Sequence, residues 1–237
     1  MQVITNESYI NKRKKIGELA PFAGLVLLAA SAVLIVVKPE WLWVTMAVVW
    51  VGFIVSLTGS YLGERFVGPN AHWKRVPEAL KGLTRDYWLL MYQLPSPYVL
   101  VEPGGVTVIS VKPQGGRVSY EDGRWRHRQK MGFLRRFAGQ ESIGRPDRFA
   151  NAEAEVVRDQ LAKRLPEGTE IPVRAVILFT QPEIELDVDV DAVPVPTVRV
   201  ATLKRWLRKN PLRPKLSVEA QALLAKALQF EGEVEAK

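Results

Sequence analysis

Two uncharged stretches lie back to back near the start of the chain, and they limit what it can fold into more than any other feature. Residues 20–37 carry no charged side chain, and neither do residues 41–63. Only Lys38-Pro39-Glu40 separates them. At about 1.5 Å per residue these runs predict helices of roughly 27 and 34 Å, enough for a hydrocarbon layer of about 30 Å. Two buried helices of a soluble core would not follow each other with so short a polar break, so the expectation is a transmembrane hairpin. A cleaved signal peptide competes for the first run, because Ala30-Ser31-Ala32 resembles a cleavage site. Apolar sequence continues to Val37, however, where a signal peptide would turn polar, and this favours an uncleaved helix.

Lys12, Arg13, Lys14 and Lys15 precede the first helix, Arg65, Lys74 and Arg75 follow the second, and the turn carries only Lys38. Basic flanks favour the cytoplasmic side, so both termini are expected in the cytoplasm and the turn outside a cell membrane. Trp41 and Trp43 would then lie at the outer interface. Within the second helix Gly52, Ser56 and Ser60 recur every fourth residue, and Gly59 with Gly63 adds another pair. Small residues on a stripe let helices approach closely in lipid, here the partner helix of the hairpin or a second copy of the chain.

The expected organisation is a basic N-terminus over 1–19, the hairpin over 20–65, an α/β domain over 66–210, and a C-terminal helix and tail over 211–237. In that domain "RVPEALKGL" predicts a helix opened by Pro77. Tyr87–Leu94, Tyr98–Glu102 and Val106–Lys112 predict strands. "RVSYEDGRWRHR" predicts a hairpin turning at Asp122-Gly123. Ala150, Ala154, Val157, Leu161 and Leu165 mark one stripe of a helix beginning at Pro146. The apolar, β-branched run Ile171–Thr180 predicts a central strand, "TVRVA" a short strand, Thr202 the cap of a basic helix, and Ser217–Gln229 a last helix. "DVDVDAVPVP" reads as a loop. The fold class is therefore α/β: helix, antiparallel strands, helix, strands, helix, after a membrane hairpin.

The segment "PYVLVEPGGVTVISVKPQGG" and this order of elements resemble the nuclease-related domain (NERD) family, in its membrane-bound branch. The likeness runs from about Arg75 to Lys209. It is best in the Gly104-Gly105 turn, the strand ending at Lys112, the Gly115-Gly116 turn and the Gly123-Arg124-Trp125 hairpin. "GQESIGRPD" and "ILFT" also fit. The resemblance implies a restriction-endonuclease-like fold, whose active members carry a helix glutamate, a strand aspartate and a carboxylate-x-lysine. Two carboxylates hold a hard divalent cation such as magnesium, the metal polarises phosphate, and the lysine stabilises developing charge.

This chain departs from that pattern. The aspartate position is Pro97 and the carboxylate position is Ser110, while Lys112 is retained. The helix glutamate would fall near Trp73, and Glu78 comes later. A proline and a serine hydroxyl cannot hold a divalent ion, so no catalytic residue, metal or cofactor is expected, and Ser110 and Lys112 read as a remnant. A working nuclease would have to draw its ligands from Glu78, Glu102 or Glu121. A serine–lysine dyad at Ser110 and Lys112 lacks any evident oxyanion-hole loop. Asp187, Asp189 and Asp191 have the opening spacing of a calcium loop. Ala192 and Val198 stand where that loop needs glycine and glutamate. His72 and His127 are too far apart to suggest a metal site, and no glycine loop opens a helix to cradle phosphate.

The remaining feature is basic. Residues 117–136 hold seven Lys/Arg against Glu121 and Asp122, and Arg124, Arg126 and Arg128 alternate on one face. That face is the candidate binding surface. The expected partners are the bilayer, its anionic lipid headgroups and, more weakly, nucleic acid; the residues name no protein partner. The chain has net charge +8 and no cysteine. Of this charge +6 falls on residues 66–237, a mild excess. The expected role is binding by a degenerate nuclease-fold domain. An active membrane-tethered nuclease and a structural subunit of a membrane complex are the alternatives.

Overall fold

The computed structural model describes residues 1–68, 71–128, 142–189 and 192–228. The C-terminal tail beyond 228, Asp191 and the first three residues of the "GQESIGRPD" stretch lie outside them. The chain divides into a helical hairpin and an α/β unit.

In the hairpin, α1 (Glu7–Val37) and α2 (Leu42–Phe66) are joined by a short 3-10 turn at Pro39–Trp41. Both helices are long and apolar enough to cross a membrane. The first begins well before residue 20, so Lys12 to Lys15 ride on the same continuous helix. The buried positions are Ile10, Gly17, Gly24 and Ser31 in α1, and Thr45, Gly52, Gly59 and Phe66 in α2. Each set recurs every seventh residue, the period that keeps one seam of a helix against its partner. A β-carbon on Gly24 would lie 2.7 Å from the Gly52 carbonyl oxygen, and one on Gly59 only 2.5 Å from Cδ of Pro21. The hydroxyls of Ser31, Thr45 and Thr58 donate to Leu28, Trp41 and Ile54 carbonyls of their own helices, at 2.6, 3.1 and 2.8 Å. Phe22, Leu25, Trp43 and Ile54 are exposed.

The α/β unit is built on a six-stranded mixed sheet of order β1-β2-β3-β4-β7-β9. Its strands are β1 (Gln2–Thr5), β2 (Trp88–Met91), β3 (Tyr98–Glu102), β4 (Gly105–Lys112), β7 (Val173–Phe179) and β9 (Thr197–Arg199). β2, β3 and β4 form an antiparallel meander, while β1 lies parallel to β2, and β7 and β9 extend the sheet in parallel from β4. All strands but β3 therefore run one way, and Thr5, Met91, Lys112, Phe179 and Arg199 mark the carboxyl end of the sheet. Helices α3 (His72–Leu80) and α5 (Val200–Lys209) cover one face through Val76, Leu80, Leu203 and Leu207. Helices α4 (Pro146–Arg164) and α6 (Val218–Ala227) cover the other through Ala150, Ala154, Val157, Leu161 and Leu224. Each fully buried leucine contributes about 1.5–3 kcal/mol relative to exposure.

The glycines of the "PGGV" turn have a clear cause. A β-carbon at Gly104 would overlap the Leu212 carbonyl, and one at Gly105 (φ +147) would lie 2.4 Å from the Pro172 oxygen. A second, three-stranded sheet has the order β6-β5-β8. β5 (Arg117–Glu121) and β6 (Arg124–Arg128) turn at Asp122 (φ 52) and Gly123 (φ 71), the paired left-handed residues of a tight hairpin.

Several local expectations change. β1 was not foreseen: residues 2–5 are the edge strand of the sheet, and Asn6 alone separates them from α1. β2 stops at Met91 because Tyr92 adopts φ 57 and turns its N–H to the Pro97 carbonyl at 2.8 Å. α3 starts at His72, with Pro77 inside it and not at its start. Arg199 is the N-cap of α5, and Thr202 stands three residues inside, where its hydroxyl accepts from the Arg199 N–H at 3.2 Å. Part of the expected acidic loop is β8 (Glu185–Asp187), parallel to β5.

Candidate functional site

β4 carries Ser110 and Lys112 to the carboxyl end of the sheet on the face covered by α4, as alternation requires. Ser110 is 0% exposed, and its Oγ has no hydrogen-bond partner. Lys112 Nζ lies 4.3 Å from the ring centroid of Phe149 on α4, a side chain that is itself 55% exposed. Glu153 follows Phe149 by one helical turn, and its Oε2 is buried. The sequence reading did not single it out, because nothing along the chain shows that α4 lies across β4. Pro97 sits in the turn before β3, where only its carbonyl is engaged.

The three carboxylates that sequence offered as substitutes do not assemble around Lys112. Glu102 pairs in register with Gly105. Seven residues at about 3.3 Å each then separate it from the level of Lys112, roughly 23 Å along the sheet. Its side chain also occupies the other face. There it is 2% exposed and accepts from Arg174 Nη2 at 2.9 and 3.2 Å and from the Thr107 hydroxyl. Arg174 Nε donates to Thr107 Oγ1 at 2.8 Å and Nη1 to the Asn210 carbonyl at 2.6 Å, while the guanidinium carbon stands 4.7 Å over the Trp206 ring. The network joins β3, β4, β7 and the end of α5, and removing either charge would strand the other inside the protein. Burial, reinforced by the Glu102 charge, raises the pKa of the nearby Tyr87 hydroxyl above its usual value. Glu78 lies on the exposed face of α3, and Glu121 pairs with Arg126. Among the described residues no group of three or more His, Asp or Glu side chains is placed to hold a metal ion.

The basic hairpin keeps its alternation. Arg124, Arg126 and Arg128 are exposed, and Trp125 faces inward, donating from Nε1 to Asp147 Oδ1 at 2.9 Å. The arginine face is nonetheless mixed in sign. Arg126 lies 3.4 Å from Glu121 and 3.9 Å from Asp122, and Arg117 pairs with Asp187 of β8. Countercharges of this kind were invisible along the sequence, because β8 reaches β5 from 68 residues away. The seven-residue basic count over 117–136 includes Lys130, Arg135 and Arg136, which lie outside the described residues.

No family model, curated protein or solved structure matches the chain at a significant level.

Proposed function

We propose that this chain is a membrane-anchored binding or scaffolding protein. Its α/β unit would be a restriction-endonuclease-like domain of the nuclease-related type, without hydrolytic chemistry and facing the cytoplasm. One observation carries the reading. At the position where such a domain needs a metal-binding carboxylate, Ser110 is sealed in the core, while the nearest strand carboxylate, Glu102, is on the other face and held by Arg174. The order of helix, three-stranded meander, crossing helix and parallel strand supports the fold assignment. The basic flanks of the two long apolar helices support the orientation. The hairpin arginines would touch anionic headgroups. Their side chains are exposed.

An active nuclease is the second reading, favoured by the retained Lys112 and by Glu153 on the helix that lies across it. The test uses the full chain in detergent with DNA and RNA substrates and either magnesium or manganese. No cleavage is expected. Cleavage that disappears in Lys112→Ala or Glu153→Gln would establish the nuclease and overturn the binding reading.

A further inference from the structure

A cavity of about 470 Å³ opens at the amino end of the sheet, the end opposite Ser110 and Lys112. Its walls include Arg85, Asp86, Trp88, Lys215, Gln221 and Leu224. Trp88 begins β2, Gln221 and Leu224 belong to α6, and Lys215 comes from the segment between α5 and α6. Arg85, Asp86 and Lys215 are exposed, and their side chains make no hydrogen bond or ion pair among the described residues. Three charged side chains without partners among the described residues contrast with Glu102 in the same cavity wall, whose carboxylate is already engaged by Arg174 and Thr107.

The stretch of chain that supplies Lys215 is basic. From Ala192 to Val218 the chain has no Asp or Glu and seven Lys/Arg, of which Lys215 is the last. Arg205, Arg208, Lys209 and Arg213 from this run are exposed. The cavity wall itself carries both signs, Arg85 and Lys215 beside Asp86 and Glu102, but the Glu102 charge is already countered by Arg174. Arg85 offers a planar fork of donors and Lys215 a compact point charge, a pair suited to a phosphate group. The indole of Trp88 offers an apolar wall on which a flat ring can stack. Asp86 accepts hydrogen bonds from hydroxyl or amino groups, and the volume is that of a small-molecule site.

We propose that this cavity binds a small phosphate monoester bearing a planar ring, the chemistry of a mononucleotide. The phosphate lies between Arg85 and Lys215, the ring lies against Trp88, and Asp86 receives the donors of the linking sugar. This site is separate from the nuclease-like position and stands whether or not that reading holds.

The experiment titrates the full chain in detergent with adenosine monophosphate, ribose 5-phosphate, inorganic phosphate and a short oligonucleotide by calorimetry, followed by the other common mononucleotides. At least one mononucleotide should bind about tenfold more tightly than ribose 5-phosphate or inorganic phosphate. Arg85→Ala and Lys215→Ala should each weaken it about tenfold, the loss of one charge-assisted contact. Trp88→Leu, with folding verified by its melting curve, should reduce it to the level of ribose 5-phosphate, and Arg148→Ala, an exposed position on α4, should leave it unchanged. Three results overturn the proposal. The first is no mononucleotide binding at millimolar concentration. The second is binding that ignores the Arg85 and Lys215 substitutions. The third is an oligonucleotide that binds more tightly than every mononucleotide and is released by Arg205→Ala or Lys209→Ala but not by Trp88→Leu, which would mark a polyanion surface on α5.

Discussion

Ser110 and Glu102 show how differently two polar side chains of one sheet can be treated. The Ser110 hydroxyl is enclosed without a partner, whereas Glu102 is bound by three donors on Arg174 and Thr107. An unpartnered buried hydroxyl costs free energy that a methyl group does not. Ser110→Ala should therefore leave the melting temperature unchanged or raise it, with a stability gain of up to about 1 kcal/mol in chemical denaturation. A clear loss of stability would mean that the hydroxyl has an essential partner. The inward Trp125 and outward arginines were legible because Asp122-Gly123 fixes the hairpin and alternation does the rest. The Glu102 network was not, since Glu102 and Arg174 lie 72 residues apart and only the sheet brings them together.

At the scale of elements, the two long helices were evident from their uncharged runs, but the seam between them was not. Sequence named Gly52, Ser56, Gly59 and Gly63 of the second helix as small residues for close approach, and all four lie against the first, but it did not show the period of the seam. The seam in fact runs through Gly17, Gly24, Gly52 and Gly59 at intervals of seven. A helix read alone does not reveal where its partner crosses, and spacings of four and seven both fit one stripe. The stripe is occupied within the chain, since Gly24 faces Gly52 and Ser56, and Gly59 faces Pro21. Gly24→Leu should lower the thermal stability of the protein in detergent, with overpacking costing about 1–3 kcal/mol. Phe22→Leu, on the exposed surface of the same helix, should change it little. Equal effects of the two substitutions would refute the close seam. The edge strand β1 escaped notice because four residues before a long helix carry no periodicity to read.

For the whole molecule, the proposed inside location of both termini and the proposed lipid contact of the hairpin can be tested together, since the chain has no cysteine of its own. Glu40→Cys should react with an impermeant reagent applied to intact cells, and Gly123→Cys should not. The reverse pattern would invert the topology. A fluorophore on the cysteine at position 123, in nanodiscs, should respond to anionic lipid at low salt and lose that response as salt rises. The screening length is about 8 Å at physiological ionic strength, and each arginine near such a surface contributes about 1 kcal/mol. Because Arg126 is countered by Glu121 and Asp122, the response should be weak.

β1 also sets an order of events during synthesis. Its partner β2 lies 86 residues further along the chain, and both apolar helices come between them. At about 5–20 residues per second, roughly 4 to 17 seconds pass between the emergence of the two strands. Throughout that interval the first strand lacks the partner it has in the sheet, and on the proposed membrane-anchored reading the hairpin would enter the bilayer before the sheet closes. A chain whose helices stall on the way to the membrane would hold β1 and β2 apart, leaving an open sheet edge of the kind that recruits other chains. On that reading, assembly of the α/β unit would be timed by insertion of its anchor, and a fragment that starts after the second helix lacks the first strand of the sheet.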